Sequence, residues 1–198
     1  MDWTTAQQKT FKHIEEKQRQ QIDMAKHVSH QEVIHFWFHE LRPAQWFRID
    51  RKMDQHITDR FEGLVDDAFH GRLFSWSSKP PSALALVLLF DQFPRHLWRG
   101  QAKALSGDAQ ALSLSIEAER QGWIQNEPEQ AKRQFWLMPR LHSEQIDVQT
   151  HALPLFERWT DTRTFALAKH YRQLIATHGR FPHRDGIRGK QDASNPRI

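Results

Sequence analysis

Apolar side chains along this chain recur at the spacing of a helix face, and no run alternates with the two-residue period of a strand. The clearest case is Arg51–His70. Met53, Ile57, Phe61, Leu64, Val65 and Ala68 share one face, Asp54, Asp59, Arg60, Glu62 and Asp66 lie elsewhere, and Gly71 supplies a stop. Thr5–Val28 is polar and charged, with only Phe11, Ile14, Ile22 and Val28 on a thin stripe, and reads as a lightly packed helix or a fraying extension. Val33–Leu41 is short and aromatic and stops before Pro43, while Ser75–Ser82 reads as a loop. Ala83–Phe90 is apolar all round. Its Ala and Leu content favours helix and no strand exists to pair with it, so it is expected to be the central buried helix.

Asp91-Gln92-Phe93-Pro94 reads as an interruption, with Pro94 opening a new helix to Leu105 because its missing N–H costs nothing in a first turn. Asp108 is expected to cap Ala109–Gln121, which Gly122 closes. Pro128–Met138 follows, then Ser143–Trp159 with Pro154 as a kink, then Thr162–His178 closing at Gly179. Gly179, Pro182, Gly186 and Gly189 break any helix beyond.

The predicted architecture is all-α: antiparallel helical pairs stacked around Ala83–Phe90. Three parts are expected, an N-terminal helical extension over residues 1–28, one all-α domain over 29–190 and a disordered tail over 191–198. The eight Trp and 13 Phe are assigned to core packing rather than to ligand platforms. No internal repeat of solenoid length is visible.

Composition narrows the chemistry. The chain has no cysteine, which excludes disulfides, thiol nucleophiles and cysteine-ligated metals. The longest run without a formal charge, Pro80–Phe90, is eleven residues, against the roughly 20 a spanning helix needs. The polar start Met1-Asp2-Trp3-Thr4-Thr5 lacks a signal-peptide pattern, so a cytoplasmic protein without a membrane partner is expected. Net charge is +4, yet Lys169–Ile198 alone holds seven Lys/Arg against two acids, a basic end that reads either as a contact for an anionic partner or as a solvated tail.

Three segments set polar groups into apolar surroundings. In Asp91–Gly100, a helix restarting at Pro94 places Arg95 and Arg99 on one face, where they need either acids or an anion. In Leu141-His142-Ser143-Glu144-Gln145, Ser143 is expected to cap the next helix with Glu144 in its first turn. His142 and Glu144 read as an acid–base pair, as metal ligands, or as a plain cap with a surface His. In His178–Arg184, donors crowd into a basic loop without an adjacent acid. His35 and His39 have helical ligand spacing, but no metalloprotease motif surrounds them and no metal is expected. Phosphate-loop, dinucleotide and nucleophile-elbow motifs are absent, so the cofactor is left unspecified.

Val33–Phe38 (VIHFWF), Trp46-Phe47, Leu84–Gly100 (LALVLLFDQFPRHLWRG), Leu137–Glu144 (LMPRLHSE) and Gly179–Arg184 (GRFPHR), in this order, resemble the bacterial DUF924 family over about Val33 to Lys190. The resemblance implies an all-α fold similar to tetratricopeptide-like helical pairs and no established activity. The family's polar motif positions fall on Asp91, Gln92, Arg95, Arg99, His142, Ser143, Glu144, Arg180, His183 and Arg184. His39 stands where the family usually has a small residue, Arg184-Asp185 where Arg-Asn is usual, and Lys190–Ile198 departs from the family's continuation.

The leading functional expectation is an anionic small molecule, a phosphorylated group or a peptide carboxylate, bound by Asp91, Gln92, Arg95, Arg99, Ser143, Arg180 and Arg184 in a helical concavity. The second is a hydrolase-type enzyme in the same pocket, with His142 or His183 as general acid or base and Glu144 orienting it. The third is nucleic-acid binding through the basic end, which no motif accompanies. A fourth is a set of braces in which Asp91 and Glu144 pair the arginines. Oligomerisation through an aromatic surface is left open.

Overall fold

The computed structural model describes residues 29–187, and over them the chain is helical without a strand. The extension over residues 1–28, with its expected Thr5–Val28 helix, and the tail over 191–198 lie outside the described residues. Ser29 caps helix α1 (His30–His35), its Oγ accepting the Glu32 N–H at 3.3 Å. The helix does not end there but widens into a π turn over Phe36–Glu40. Asp50 caps α2 (Arg51–Phe69), its Oδ1 accepting from the N–H groups of Lys52 and Met53. The predicted face is the buried one: Ile57, Phe61, Leu64, Val65 and Ala68 face the core. Gly71 leaves the helix end at φ +74°, which favours glycine.

The next stretch departs from expectation. Residues expected as loop hold a short 3-10 turn (Phe74–Ser78) and the start of α3 (Pro80–Val87), because Pro80 is preorganised for a first helical turn. Asp91–Pro94 does not interrupt the chain. A π turn over Leu88–Gln92 carries α3 directly into α4 (Phe93–Leu97), so residues 80–97 form one continuous helical run. A π turn shifts the hydrogen-bond register by one residue, which accommodates Pro94 without breaking the run. Helix α4 ends at Leu97, and Ala102–Leu105 forms a separate 3-10 turn.

Helix α5 (Asp108–Arg120) takes Gly107 as its N-cap; Asp108 is its first residue and gives its carboxylate to Arg95 instead of to the helix end. A short α6 (Trp123–Asn126) precedes α7 (Gln130–Leu141), which continues across Pro139 beyond the expected end at Met138. Helix α8 (Ile146–Trp159) starts three residues later than expected and includes Pro154. Helix α9 (Thr162–His178) has the expected bounds, with Asp161 as cap and Gly179 at φ +69°.

Consecutive helices joined by short connections pack as pairs, α7 on α8 and α8 on α9, while α1 and α2 lie against the 80–97 run. That run also packs on α5 and α7 and is buried from Ser82 to Pro94. Aromatic rings fill the space around it: Phe93 lies within 6.2 Å of Phe36, Trp37 and Phe61. Trp136 and Phe135 are fully buried. Buried Arg140 ties α7 to α5 through the Ser115 hydroxyl at 3.0 Å and Glu119 at 2.6 Å. Trp46 donates from Nε1 to the Trp37 carbonyl at 2.8 Å, which pins the 43–50 connection beside the core. No described helix is long and apolar enough to cross a membrane.

Candidate functional site

Asp91, in the π turn, has no solvent exposure and is the hub of a polar cluster. Its Oδ1 lies 2.6 Å from His142 Nδ1 and accepts from Arg95 Nη2 at 2.9 Å; its Oδ2 accepts from Gln92 Nε2 at 2.6 Å. Burial pushes the Asp91 carboxyl up, but the charges of His142 and Arg95 outweigh it and hold the group well below the carboxylate range. Ionised Asp91 can only accept, so His142 Nδ1 is the donor of that short bond. Arg95 Nη2 also reaches Asp108 Oδ1 at 2.6 Å. Burial raises the Asp108 pKa past the opposing pull of Arg95 and His142, with the Asp91 charge adding to the rise.

A second network lies one turn along α4. Arg99 makes a bidentate pair with Asp54 of α2, both N···O distances being 2.7 Å, and His96 Nδ1 lies 2.8 Å from the same carboxylate. Burial holds His96 below the ordinary histidine value in spite of Asp54.

The third network closes the C-terminal loop. Glu144 accepts the Phe181 N–H at 3.0 Å, and buried Arg184 lies 3.8 Å from Glu144, 3.4 Å from Asp108 and donates to the His142 carbonyl at 3.1 Å. Glu144 therefore does not orient His142; Asp91 does. Ser143 Oγ accepts the Gln145 N–H at 3.2 Å within the turn before α8, and Glu144 precedes that helix rather than opening it. Exposed Arg180 pairs with Asp185 at 2.8 and 2.9 Å. His183 is exposed, 5.4 Å from the Phe181 ring, and partial burial and the Arg184 charge lower its pKa. The structure thus gathers Asp91, Gln92, Arg95, His142, Ser143, Glu144 and Arg184, sets Arg99 at one margin, and leaves Arg180 and His183 on the surface.

Two cavities flank His142. One of about 450 Å³ is lined by Leu105, Asp108, His142, Ser143, Glu144 and Arg184. The other, about 180 Å³, is lined by Arg48, Arg95, His96, Arg99 and His142, with Gln92, and no carboxylate forms its wall. Trp46, Phe47 and Arg48 separate it from a larger cavity of about 870 Å³ over α9. Arg95 meets its acids through Nη2 alone, and its buried Nε has no hydrogen-bond partner. Exposed Arg48 makes no ion pair among the described residues.

His35 and His39 stack at 5.4 Å on the surface of the first π turn, and no cluster of histidines and acids among the described residues is arranged to hold a metal. In the described part of the basic end, Arg180 pairs with Asp185 and Arg184 with Asp108, while Arg172 donates to the neutral Thr150 hydroxyl.

The sequence model of DUF924, described as a bacterial protein of unknown function, matches residues 33–196. The chain belongs to this family. The DUF924 match extends past Lys190, where the motif resemblance ended, almost to the C-terminus. A solved structure of a protein of unknown function from Agrobacterium tumefaciens is similar in fold, with 35% identity and a TM-score of 0.75 over 80% of this chain and 88% of that one. No curated protein matches the chain. Asp185, next to the last motif position, is the group that neutralises Arg180. Four members of the site escaped sequence reasoning. His96 stood inside a quoted motif, Asp108 was taken for a cap, Asp54 was one of several acids on a polar helix face, and Arg48 carried no signal at all.

Proposed function

We propose that the chain binds a small ligand bearing one anionic group in the cavity between Arg48, Arg95, Arg99 and His142. The observation that carries this reading is the unequal wall. Three guanidiniums and two imidazoles line the space, while their carboxylates Asp54, Asp91 and Asp108 lie outside its wall. Guanidinium forks match carboxylate and phosphate oxygens. Among the described residues the buried Nε of Arg95 has no partner, and a buried unpaired donor is costly unless a ligand or water accepts from it. Trp46 and Phe47 offer aromatic surface for the apolar remainder of the ligand toward the larger cavity. In this reading Arg180 and Arg184 are braces, and the ligand set is Arg48, Arg95, Arg99 and Gln92.

Isothermal titration with benzoate and, separately, inorganic phosphate tests it. Saturable binding of at least one is expected, weakened at least tenfold by Arg48→Ala, a substitution at an exposed side chain that spares the core. Wild-type protein that binds neither anion ends the reading. Binding of benzoate alone or phosphate alone names the preferred oxyanion.

A further inference from the structure

We infer that His142 is a general base and acid for hydrolysis of an ester whose own carboxylate or phosphate occupies the arginine-lined cavity, an inference that takes its substrate class from the anion-binding reading. The ring forms part of the wall of both cavities, so one side chain meets an anchored anion on one side and the roomier space of about 450 Å³ on the other. Buried Asp91 fixes the ring by a 2.6 Å bond to Nδ1. With Asp91 ionised and acting only as acceptor, the proton of a neutral imidazole sits on Nδ1, leaving Nε2 as the basic nitrogen. Nε2 makes no hydrogen bond among the described residues. A buried carboxylate that fixes tautomer and orientation of a histidine is the arrangement that makes an imidazole an effective proton carrier. The charged groups around the ring are Asp91 in the π turn, Arg95 on α4, Asp108 on α5 and, beyond the adjoining turn, Glu144 and Arg184.

The step balances with water as the one co-reactant. Water oxygen bonds to the acyl carbon while its proton passes to Nε2. The bond from that carbon to the leaving oxygen then breaks, and the leaving oxygen takes the proton back from Nε2. A carboxylic acid and an alcohol are released, the acid then losing its proton to solvent, and the imidazole returns neutral. Asp91 is a positioning residue throughout.

The probe is 4-acetoxybenzoate, whose carboxylate and ester lie at opposite ends of one ring, with methyl 4-acetoxybenzoate as the neutral control. Wild type is expected to hydrolyse 4-acetoxybenzoate roughly 100-fold faster than His142→Gln, the lower range for acid–base catalysis, with an acid limb in the pH–rate profile that the variant lacks. Arg48→Ala is expected to remove the preference for the anionic over the neutral ester. Gln preserves a donor toward Asp91, and benzoate titration of His142→Gln shows whether the site persists. Equal rates in wild type and His142→Gln, including no turnover in either, overturn the inference even where benzoate binds both. Histidine-dependent hydrolysis without preference for the anionic ester overturns the substrate class of this inference, while the anion site itself stands or falls by the benzoate and phosphate titrations.

Discussion

Asp91 and Asp108 both accept from the same nitrogen, Arg95 Nη2, yet their pKa values move in opposite directions. For both, burial is the largest influence and favours the neutral acid; at Asp91 the adjacent charges of His142 and Arg95 win, and at Asp108 they do not. Replacement by the neutral amide therefore separates them. Asp91→Asn strips a buried pair of its charge and is expected to cost about 3–5 kcal/mol, on the order of 10 °C in Tm. Asp108→Asn removes a charge that folding already disfavours, and is expected to leave Tm at neutral pH unchanged or higher. Differential scanning calorimetry of both variants at pH 7 decides; equal losses would mean that Arg95 depends on both acids alike. At this scale the sequence reading went as far as local spacing allows. Asp91 and Arg95 are four apart in a recognisable motif, but the bond from Asp91 to His142 spans 51 residues and the Asp54–Arg99 pair 45. No helical period encodes such a partner, which is why Glu144, the neighbour in sequence, was taken for the orienting acid.

Helix C-termini were legible where glycine carries the physics, whereas the caps expected at Asp108 and Ser143 were not the caps found. Gly71, Gly122 and Gly179 each stand at positive φ at the ends predicted for them. The continuity of residues 80–97 was not legible, because a π turn around Pro94 looks in sequence like a break. The price of that geometry is seen where α5 begins. Pro94 has no N–H to return to the Phe90 carbonyl, and Gly107 packs against that carbonyl so closely that a Cβ would collide with its oxygen. Gly107 has an ordinary negative φ, so the demand for glycine is steric, not conformational. Gly107→Ala is expected to lose about 1–3 kcal/mol through displacement of α5 from the helical run. Exposed Gly63, inside α2 with nothing near its missing Cβ, is the contrasting site, and Gly63→Ala is expected to gain about 0.5–1 kcal/mol. Urea unfolding of the two variants in parallel measures both; a neutral Gly107→Ala would show that α5 moves freely against the π turn. Because α5 carries Asp108, that variant is also expected to weaken benzoate binding.

Across the whole molecule these networks make stability depend on pH in two stages. Burial lowers the His96 pKa, so unfolding takes up a proton there: its contribution is complete above the ordinary value of 6.5 and is lost as pH falls through the folded value. Asp54, Asp91, Glu119 and Glu40 are held below their ordinary values by arginine or histidine partners, so their contributions are complete above 3.8 to 4.5 and are lost only in stronger acid. Asp108 runs the other way and recovers stability as it protonates. The 13 histidines add positive charge to a net +4 over the same upper window. Salt separates these causes, since self-repulsion between exposed charges is screened over a few ångströms at about 0.5 M whereas the cost of charging buried His96 is not. The urea midpoint is therefore expected to decline below pH 6.5 and more steeply below pH 4.5. High salt should flatten part of the first decline, and His96→Gln should remove most of the salt-resistant remainder, with His183, lowered by partial burial, accounting for the rest. A first decline that salt abolishes in wild type would assign it wholly to surface histidines and leave buried His96 without a part in the pH response of the fold.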